Sequence, residues 1–230
     1  MPGPIPSPLT ADAALFDLDG TLIDSEPRSR ELWKRLLTAH GIASTPDLLT
    51  SFGGRRSADV IAEQFHRFGP GVTQDDIRRD LRRFEEAGDL PEAPLMRGAR
   101  TLLERLHDEG IPAALVTSGG LAYATHHLAR LGIDAYFATL VTADDVTHGK
   151  PDPEGYLLAC RRLGVAPTQT VIFEDSAAGI EAARASGATC IAVGSPTPAL
   201  GTHAVCVVAD LAETARLRRT SDVTRWISNN

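Results

Sequence analysis

The chain has 230 residues, 43% of them hydrophobic and 23% charged, a globular composition that excludes a disordered or fibrous protein. A net charge of −7 argues against a nucleic-acid partner, which needs a clustered basic face. No apolar run reaches the roughly 18 residues needed to span a membrane, so no membrane partner is expected either.

Met1 to Pro8 is rich in Pro and lacks the basic and apolar regions of a signal peptide, so residues 1–10 read as a flexible terminus. The first apolar run, Ala13 to Phe16, is short, ends in Asp17, and is expected to be a buried strand. Three amphipathic stripes follow, in Glu26 to His40, Arg56 to Phe68 and Gln74 to Ala87, with no strand among them. Helices with apolar faces can close on one another, so residues 25–92 are expected to be an inserted helical cap. Pro91-Glu92-Ala93-Pro94 reads as the hinge back. The basic cluster Arg78, Arg79, Arg82 and Arg83 alternates with acids in the third stripe and reads as a solvated face.

Beyond residue 93 the pattern alternates. Strands are expected at Ala113–Val116, Tyr136–Val141, Thr170–Phe173, Thr189–Val193 and Ala204–Val208. Helices are expected at Gly98–Asp108, Leu121–Leu131, Pro153–Leu163 and Ala177–Ala185, with Gly just past three of them as a stop signal. Continuous apolar strands alternating with helices imply an α/β doubly wound fold with a mostly parallel sheet, built from residues 11–24 and 93–230. Arg216, Arg218 and Arg219 lie near the end and read as solvated. Cys160, Cys190 and Cys206 are odd in number, lack metal spacing and sit in apolar stretches. They read as core residues of a cytoplasmic protein.

In open α/β sheets, ligands bind beyond the carboxyl ends of the strands. Polar groups converge on those positions here: Asp17 and Asp19, Thr117-Ser118-Gly119, Lys150, and Glu174-Asp175. Asp17 and Asp19 in Asp17-Leu18-Asp19-Gly20 can meet on one side of a strand end, where their repulsion invites a hard cation that Asp175 could share. The run can equally be a strand-closing turn. Thr117-Ser118-Gly119 opens a helix and suits a phosphate, or is a plain cap. Lys150, stiffened by Pro151 and Pro153, can offer a fixed positive charge to a phosphate, or be a solvated loop residue. Glu174 and Asp175 end a buried strand, where two acids are costly unless paired or bound to metal; helix capping is the other reading.

Taken in order, these motifs resemble the haloacid dehalogenase superfamily of phosphohydrolases. The matching pieces are Phe16-Asp17-Leu18-Asp19-Gly20-Thr21, Val116-Thr117-Ser118-Gly119, Gly149-Lys150-Pro151-Asp152-Pro153 and Phe173-Glu174-Asp175-Ser176. The resemblance covers about Ala11 to Glu213 and is nearest to the sugar-phosphate phosphatases and β-phosphoglucomutase-like proteins, whose helical cap follows the first motif. It implies Mg²⁺ as cofactor and a small phosphate ester as substrate. Asp17 would form an aspartyl-phosphate, and Asp19 would protonate the leaving alcohol and then activate water. Mg²⁺ would rest on the Asp17 and Asp175 side chains and the Asp19 carbonyl, with Glu174 supporting or sharing the site. Thr117 and Lys150, with amides around Ser118 and Gly119, would hold phosphoryl oxygens. Arg55 or Arg56, in the cap loop Phe52-Gly53-Gly54-Arg55-Arg56-Ser57, and Glu26 are candidate substrate contacts. Each is also readable as an ordinary helix-start residue. β-Phosphoglucomutases carry a His a few residues past the first motif, where this chain has Ser29, so hydrolysis is favoured over mutase chemistry. Phosphoglycolate phosphatase is a further relative of the same branch. A monomer or weak dimer is expected.

Overall fold

The apolar runs form strands because they are covered on both faces. In the computed structural model, which describes residues 9–194, 204, 206–214 and 217–219, six strands make one sheet. After the short β1 (Leu9–Ala11), these are β2 (Ala13–Phe16), β3 (Ala113–Val116), β4 (Phe137–Val141), β5 (Thr170–Glu174), β6 (Thr189–Val193) and β7 (Cys206–Val208). Their order is β4-β3-β2-β5-β6-β7, and every neighbouring pair is parallel.

Alternate residues serve opposite faces. Phe16, Leu115 and Phe173 pack on one side with Leu102, Leu103 and Leu106 of α5 (Ala99–Asp108) and Leu128 of α6 (Leu121–Leu131). Leu15, Val116 and Ile172 pack on the other with Tyr156 and Ala159 of α7 (Glu154–Leu163) and Ile180 of α8 (Ala177–Ser186). This is the expected doubly wound α/β arrangement. Gly132, Gly164 and Gly187 end α6, α7 and α8 in the left-handed conformation, as the stop signals require. Cys160, Cys190 and Cys206 are free thiols buried in the core.

The inserted helices are α1 (Glu26–Ala39), α2 (Pro46–Thr50), α3 (Ser57–Gln64) and α4 (Gln74–Glu86). Leu32, Trp33, Leu36, Leu37, Phe52, Val60, Ile61, Ile77, Leu81 and Leu90 form a core of their own, separate from both faces of the sheet. The two chain crossings lie side by side. Asp24 N donates to Pro94 O at 2.8 Å, Met96 N donates to Leu22 O at 2.8 Å, and Ile23 bridges Leu95. Arg78, Arg79 and Arg83 each pair with an acid three residues earlier, a solvated face.

Four details differ from the sequence reading. Leu9 and Thr10, expected in the flexible terminus, join β1, which pairs in parallel with β8 (Leu217–Arg219). Tyr136 lies in a 3₁₀ turn just before β4. The second stripe breaks at Phe65 into a 3₁₀ turn. Helix α2 leaves no signal in the sequence, because five residues are too few to display a helical period; it starts at Thr45, whose side chain accepts from Leu48 N at 3.2 Å. Residues 1–8, Val205 and Arg216 lie outside the described residues.

Candidate active site

The strand order places the site. The chain adds β3 and β4 on one side of β2, then crosses to place β5 on the other, so the switch point lies between β2 and β5. Phe16 is in register with Leu115 and with Phe173, which sets Asp17, Val116 and Glu174 level at the carboxyl edge. There the structure gathers Asp17, Lys150, Glu174 and Asp175. Lys150 Nζ donates to Asp17 Oδ1, to Glu174 Oε1 at 2.5 Å and to Val116 O at 3.2 Å, so all three of its N–H bonds are used. Glu174 is held by both oxygens. Oε1 also accepts from Tyr156 Oη at 2.8 Å, and Oε2 accepts from the amides of Asp175 and Ser176 and from Ser176 Oγ, each at 3.0 Å. Asp175 Oδ1 accepts from Thr21 Oγ1 at 3.0 Å. Gly20 makes this approach possible: its φ is +81°, and a Cβ there would stand 2.1 Å from Asp175 Oδ2.

Three carboxylates therefore face one ammonium in a nearly dry setting. Burial pushes the Asp17 carboxyl well above its ordinary range; Lys150 opposes the shift, and Glu174, Asp175 and Asp19 add to it. Burial and then Glu174 push Asp175 up to about 8, against the pull of Thr21 and Lys150. Burial disfavours the Lys150 cation, but Asp17 and Glu174 outweigh that and hold it charged. One oxygen stands out: Asp17 Oδ2 is buried and has no hydrogen-bond partner among the described residues. Carboxylate oxygens of Asp17, Glu174 and Asp175 lie within 4.8 Å of one another. An orphaned anionic oxygen in an acid-rich, all-oxygen cluster is what a hard divalent cation requires, so these residues fit Mg²⁺.

The remaining candidates divide between core and cap. Thr117 Oγ1 accepts from Gly119 N at 3.0 Å at the start of the loop into α6. Ser118 Oγ donates to Gly54 O of the cap at 3.0 Å. Gly54 has a φ of +70°, and a Cβ there would come 2.2 Å from Ser176 Oγ, so the cap loop rests directly on the carboxyl edge of the sheet. Arg56 fastens it. Its guanidinium grips Asp59 at 2.8 and 3.0 Å and donates to the carbonyls of Val146 at 3.4 Å and Thr147 at 3.1 Å. Arg55 pairs with Glu63 at 2.5 Å, and Glu26 pairs with Arg30 at 2.6 Å on an exposed face. The structure thus brings Ser118, Gly54 and Arg56 to the cap–core seam, and engages Arg55 and Glu26 with partners inside the cap.

Asp19 does not join the Lys150 cluster; its Oδ1 accepts from Tyr123 Oη at 2.6 Å. Tyr123, Tyr156 and Thr21 escaped the sequence reading. Tyr156 and Tyr123 sit among the apolar positions of their helices, so nothing in the pattern marks their hydroxyls as facing acids. Thr21 had a signal: a hydroxyl directly after an Asp-x-Asp-Gly turn.

The chain is similar to known proteins over most of its length. A family model described as haloacid dehalogenase-like hydrolase matches residues 11–187. The chain is 43% identical over 178 residues to validoxylamine A 7'-phosphate phosphatase of Streptomyces hygroscopicus subsp. limoneus, covering 77% of this chain and 83% of the relative. It is 38% identical over 192 residues to hexitol phosphatase A of Escherichia coli, covering 81% and 85%. Among solved structures, a hydrolase from Pseudomonas syringae superposes with a TM-score of 0.77 at 28% identity, covering 87% of this chain and 94% of that one.

Proposed function

The chain belongs to the haloacid dehalogenase-like hydrolase family, and on that premise we propose that it is a Mg²⁺-dependent phosphatase of a small sugar or polyol phosphate, working through Asp17. The observation that carries the reading is the Asp17 carboxylate, buried at the switch point between Lys150 and Asp175 with one oxygen unpartnered among the described residues. Two of its relatives, the validoxylamine A 7'-phosphate phosphatase and the hexitol phosphatase, point to a polyhydroxylated leaving group.

In the first step an Asp17 oxygen attacks phosphorus. The bond from phosphorus to the ester oxygen breaks, its electron pair stays on that oxygen, and Asp19 supplies the proton that makes the alcohol. In the second step water attacks the aspartyl-phosphate and gives a proton to Asp19. The bond between phosphorus and the Asp17 oxygen breaks, which regenerates both acids. Lys150 balances phosphoryl charge, with Thr117, Ser118 and Gly119 as further donors. Mg²⁺, held by the Asp17 and Asp175 side chains and the Asp19 carbonyl with Glu174 behind them, would offset the negative charge of phosphate and carboxylate together. The seam made by Gly54 and Arg56 would keep bulk water from the aspartyl-phosphate while the alcohol leaves. Three buried free thiols fit the reducing cytoplasm expected for such a protein.

The cation site has a pH signature that does not depend on turnover. Asp175 sits at about 8 in the folded protein, well above the ordinary carboxylate value. An acid raised in this way favours folding below its ordinary value and loses that contribution as pH climbs to its folded value. The metal-free protein therefore loses stability between about pH 4 and 8. A cation takes the ionised carboxylates and releases their protons, so its stabilisation grows over the same window. We expect one fixed Mg²⁺ concentration, near 100 times the Kd at pH 8, to raise the thermal midpoint by about 5–10 °C at pH 8 and far less at pH 5.5. A rise that is equal at both pH values, or none, would count against a cation on Asp17 and Asp175.

The activity test is phosphate release with Mg²⁺ across hexitol phosphates, sugar phosphates, phosphoglycolate and nucleotides. The expected result is release from polyol or sugar phosphates, stopped by chelation. Release from none of them overturns the reading. Conversion of β-glucose 1-phosphate to glucose 6-phosphate with a bisphosphate primer, without phosphate release, would identify a mutase instead.

A further inference from the structure

Tyr123 is the partner the fold supplies to Asp19. The two residues are 104 positions apart and lie on different elements, yet Tyr123 Oη donates to Asp19 Oδ1 at 2.6 Å. Tyr123 stands in the first turn of α6, just past Thr117-Ser118-Gly119. Its ring is fixed on two sides. Gly119 leaves the space on one: a Cβ there would meet Tyr123 Cδ1 at 2.8 Å and Cε1 at 3.4 Å. His127, one helical turn on, packs edge-on against the ring on the other, with centroids 4.5 Å apart and planes at 62°. Burial, with Arg28 next, pushes His127 down to about 4, so it is a neutral wall and does not compete for the Asp19 charge. No described residue other than Tyr123 hydrogen-bonds to the Asp19 carboxylate, so Oδ2 is left for the reacting atoms.

We propose that Tyr123 is a positioning residue that ties down Asp19 Oδ1 and so presents Oδ2 to the ester oxygen, where it gives up its proton, and then to the attacking water, from which it takes one. This rests on the hydrolytic reading above, because a site with no alcohol to protonate has no use for a fixed acid. A carboxyl with one oxygen tethered keeps the second within reach of the leaving group; an untethered one samples rotamers that do not reach it.

The test separates leaving groups. An alkyl alcohol must be protonated as it departs, whereas 4-nitrophenolate leaves without a proton. Because kcat/KM reports on the chain up to the first irreversible transfer, hydrolysis of the aspartyl-phosphate does not blur the comparison. Tyr123→Phe removes only the hydroxyl and keeps the ring between Gly119 and His127. On a hexitol phosphate we expect kcat/KM to fall about 10–100-fold, in kcat rather than KM, and on 4-nitrophenyl phosphate to fall at least ten-fold less. Asp19→Asn should show the same selectivity with a larger loss, and the double variant should be no worse than Asp19→Asn alone, as for residues acting as one unit. Equal losses on both substrates, no loss on either, or losses that multiply in the double variant would overturn the positioning role. If Asp19→Asn is selective and Tyr123→Phe is not, the Tyr123 inference fails by itself. If the parent protein releases phosphate from neither substrate, or Asp19→Asn keeps its full rate on the hexitol phosphate, the hydrolytic reading falls and takes this inference with it.

Discussion

Asp17→Asn is expected to lower phosphate release by on the order of 10⁴-fold or more while leaving the fold intact and the metal-free protein no less stable. The kinetic half follows from the role of the carboxylate. An amide of the same size cannot form an acyl phosphate by this route, and the groups that hold the phosphate do not replace a nucleophile. The stability half follows from the electrostatics. Asp17 is one of three clustered acids, two of them buried against a single Lys, and among the described residues its Oδ2 is an acceptor with nothing to accept. Burial and the neighbouring carboxylates already push its own carboxyl upward. Removing that charge lessens the repulsion around Asp175, and Lys150 keeps Glu174 and the Val116 carbonyl. The thermal midpoint without metal should therefore hold or rise, and the response to Mg²⁺ should shrink. Phosphate release within about ten-fold of the parent would remove Asp17 from the chemistry. A fall in the midpoint would show that the Asp17 charge stabilises the cluster by its pairing with Lys150.

Lys150→Met should have the opposite effect on stability. It takes the one cation out of the cluster and leaves Asp17 and Glu174 buried without it, in side chains at most 4% exposed. Breaking a buried pair from one side costs about 3–5 kcal/mol, or about 6–20 °C in a chain of this size. Tyr156 and the amides of Asp175 and Ser176 still hold Glu174, which places the expectation toward the lower end. Activity should fall with stability, since the same ammonium balances phosphoryl charge. The loss should ease on acidification, because protonated carboxylates need no counter-charge; the relief runs downward in pH, the direction set by the raised carboxyls of Asp17 and Asp175. Calorimetry of both variants across pH without metal is the check. A Lys150→Met protein as stable as the parent at neutral pH would mean that the ammonium does not hold this cluster together.

The two variants differ in sign because the cluster is over-supplied with negative charge and short of positive charge. That imbalance follows from a stretch of chemistry legible in one dimension. Asp17, Asp19, Glu174 and Asp175 each follow an apolar run, and such a run, bounded by a turn, says where a strand stops. Lys150 between glycine and proline is also visible as a held residue. Once the parallel order is formed, strand ends face one way, and the four motifs have nowhere else to meet.

The seam and the tyrosines were not legible in that way. The sequence offers Arg55 or Arg56 as a substrate contact; in the structure Arg56 also ties the cap loop to the carbonyls of Val146 and Thr147, about ninety positions away. Glu26 and Arg55 face partners four and eight positions along their own segment, at a range the sequence could have suggested but did not rank. Helix α2 and the pair β1–β8 are too short for a periodic signal, and β1–β8 joins segments from opposite ends of the chain.

By itself, then, the sequence determined the elements that periodicity and turn chemistry encode: a parallel sheet wrapped by helices, a helical insertion after the first strand, and acids and a lysine placed at strand ends. These depend on residues a few positions apart. Only the tertiary structure decided which oxygen of Asp17 is left without a partner, that Glu174 is fully engaged, that Gly54 rests against Ser176, and that Tyr123 holds Asp19. Each of those is a contact between elements far apart in the chain, and its existence depends on how helices and sheet dock, which no local pattern specifies.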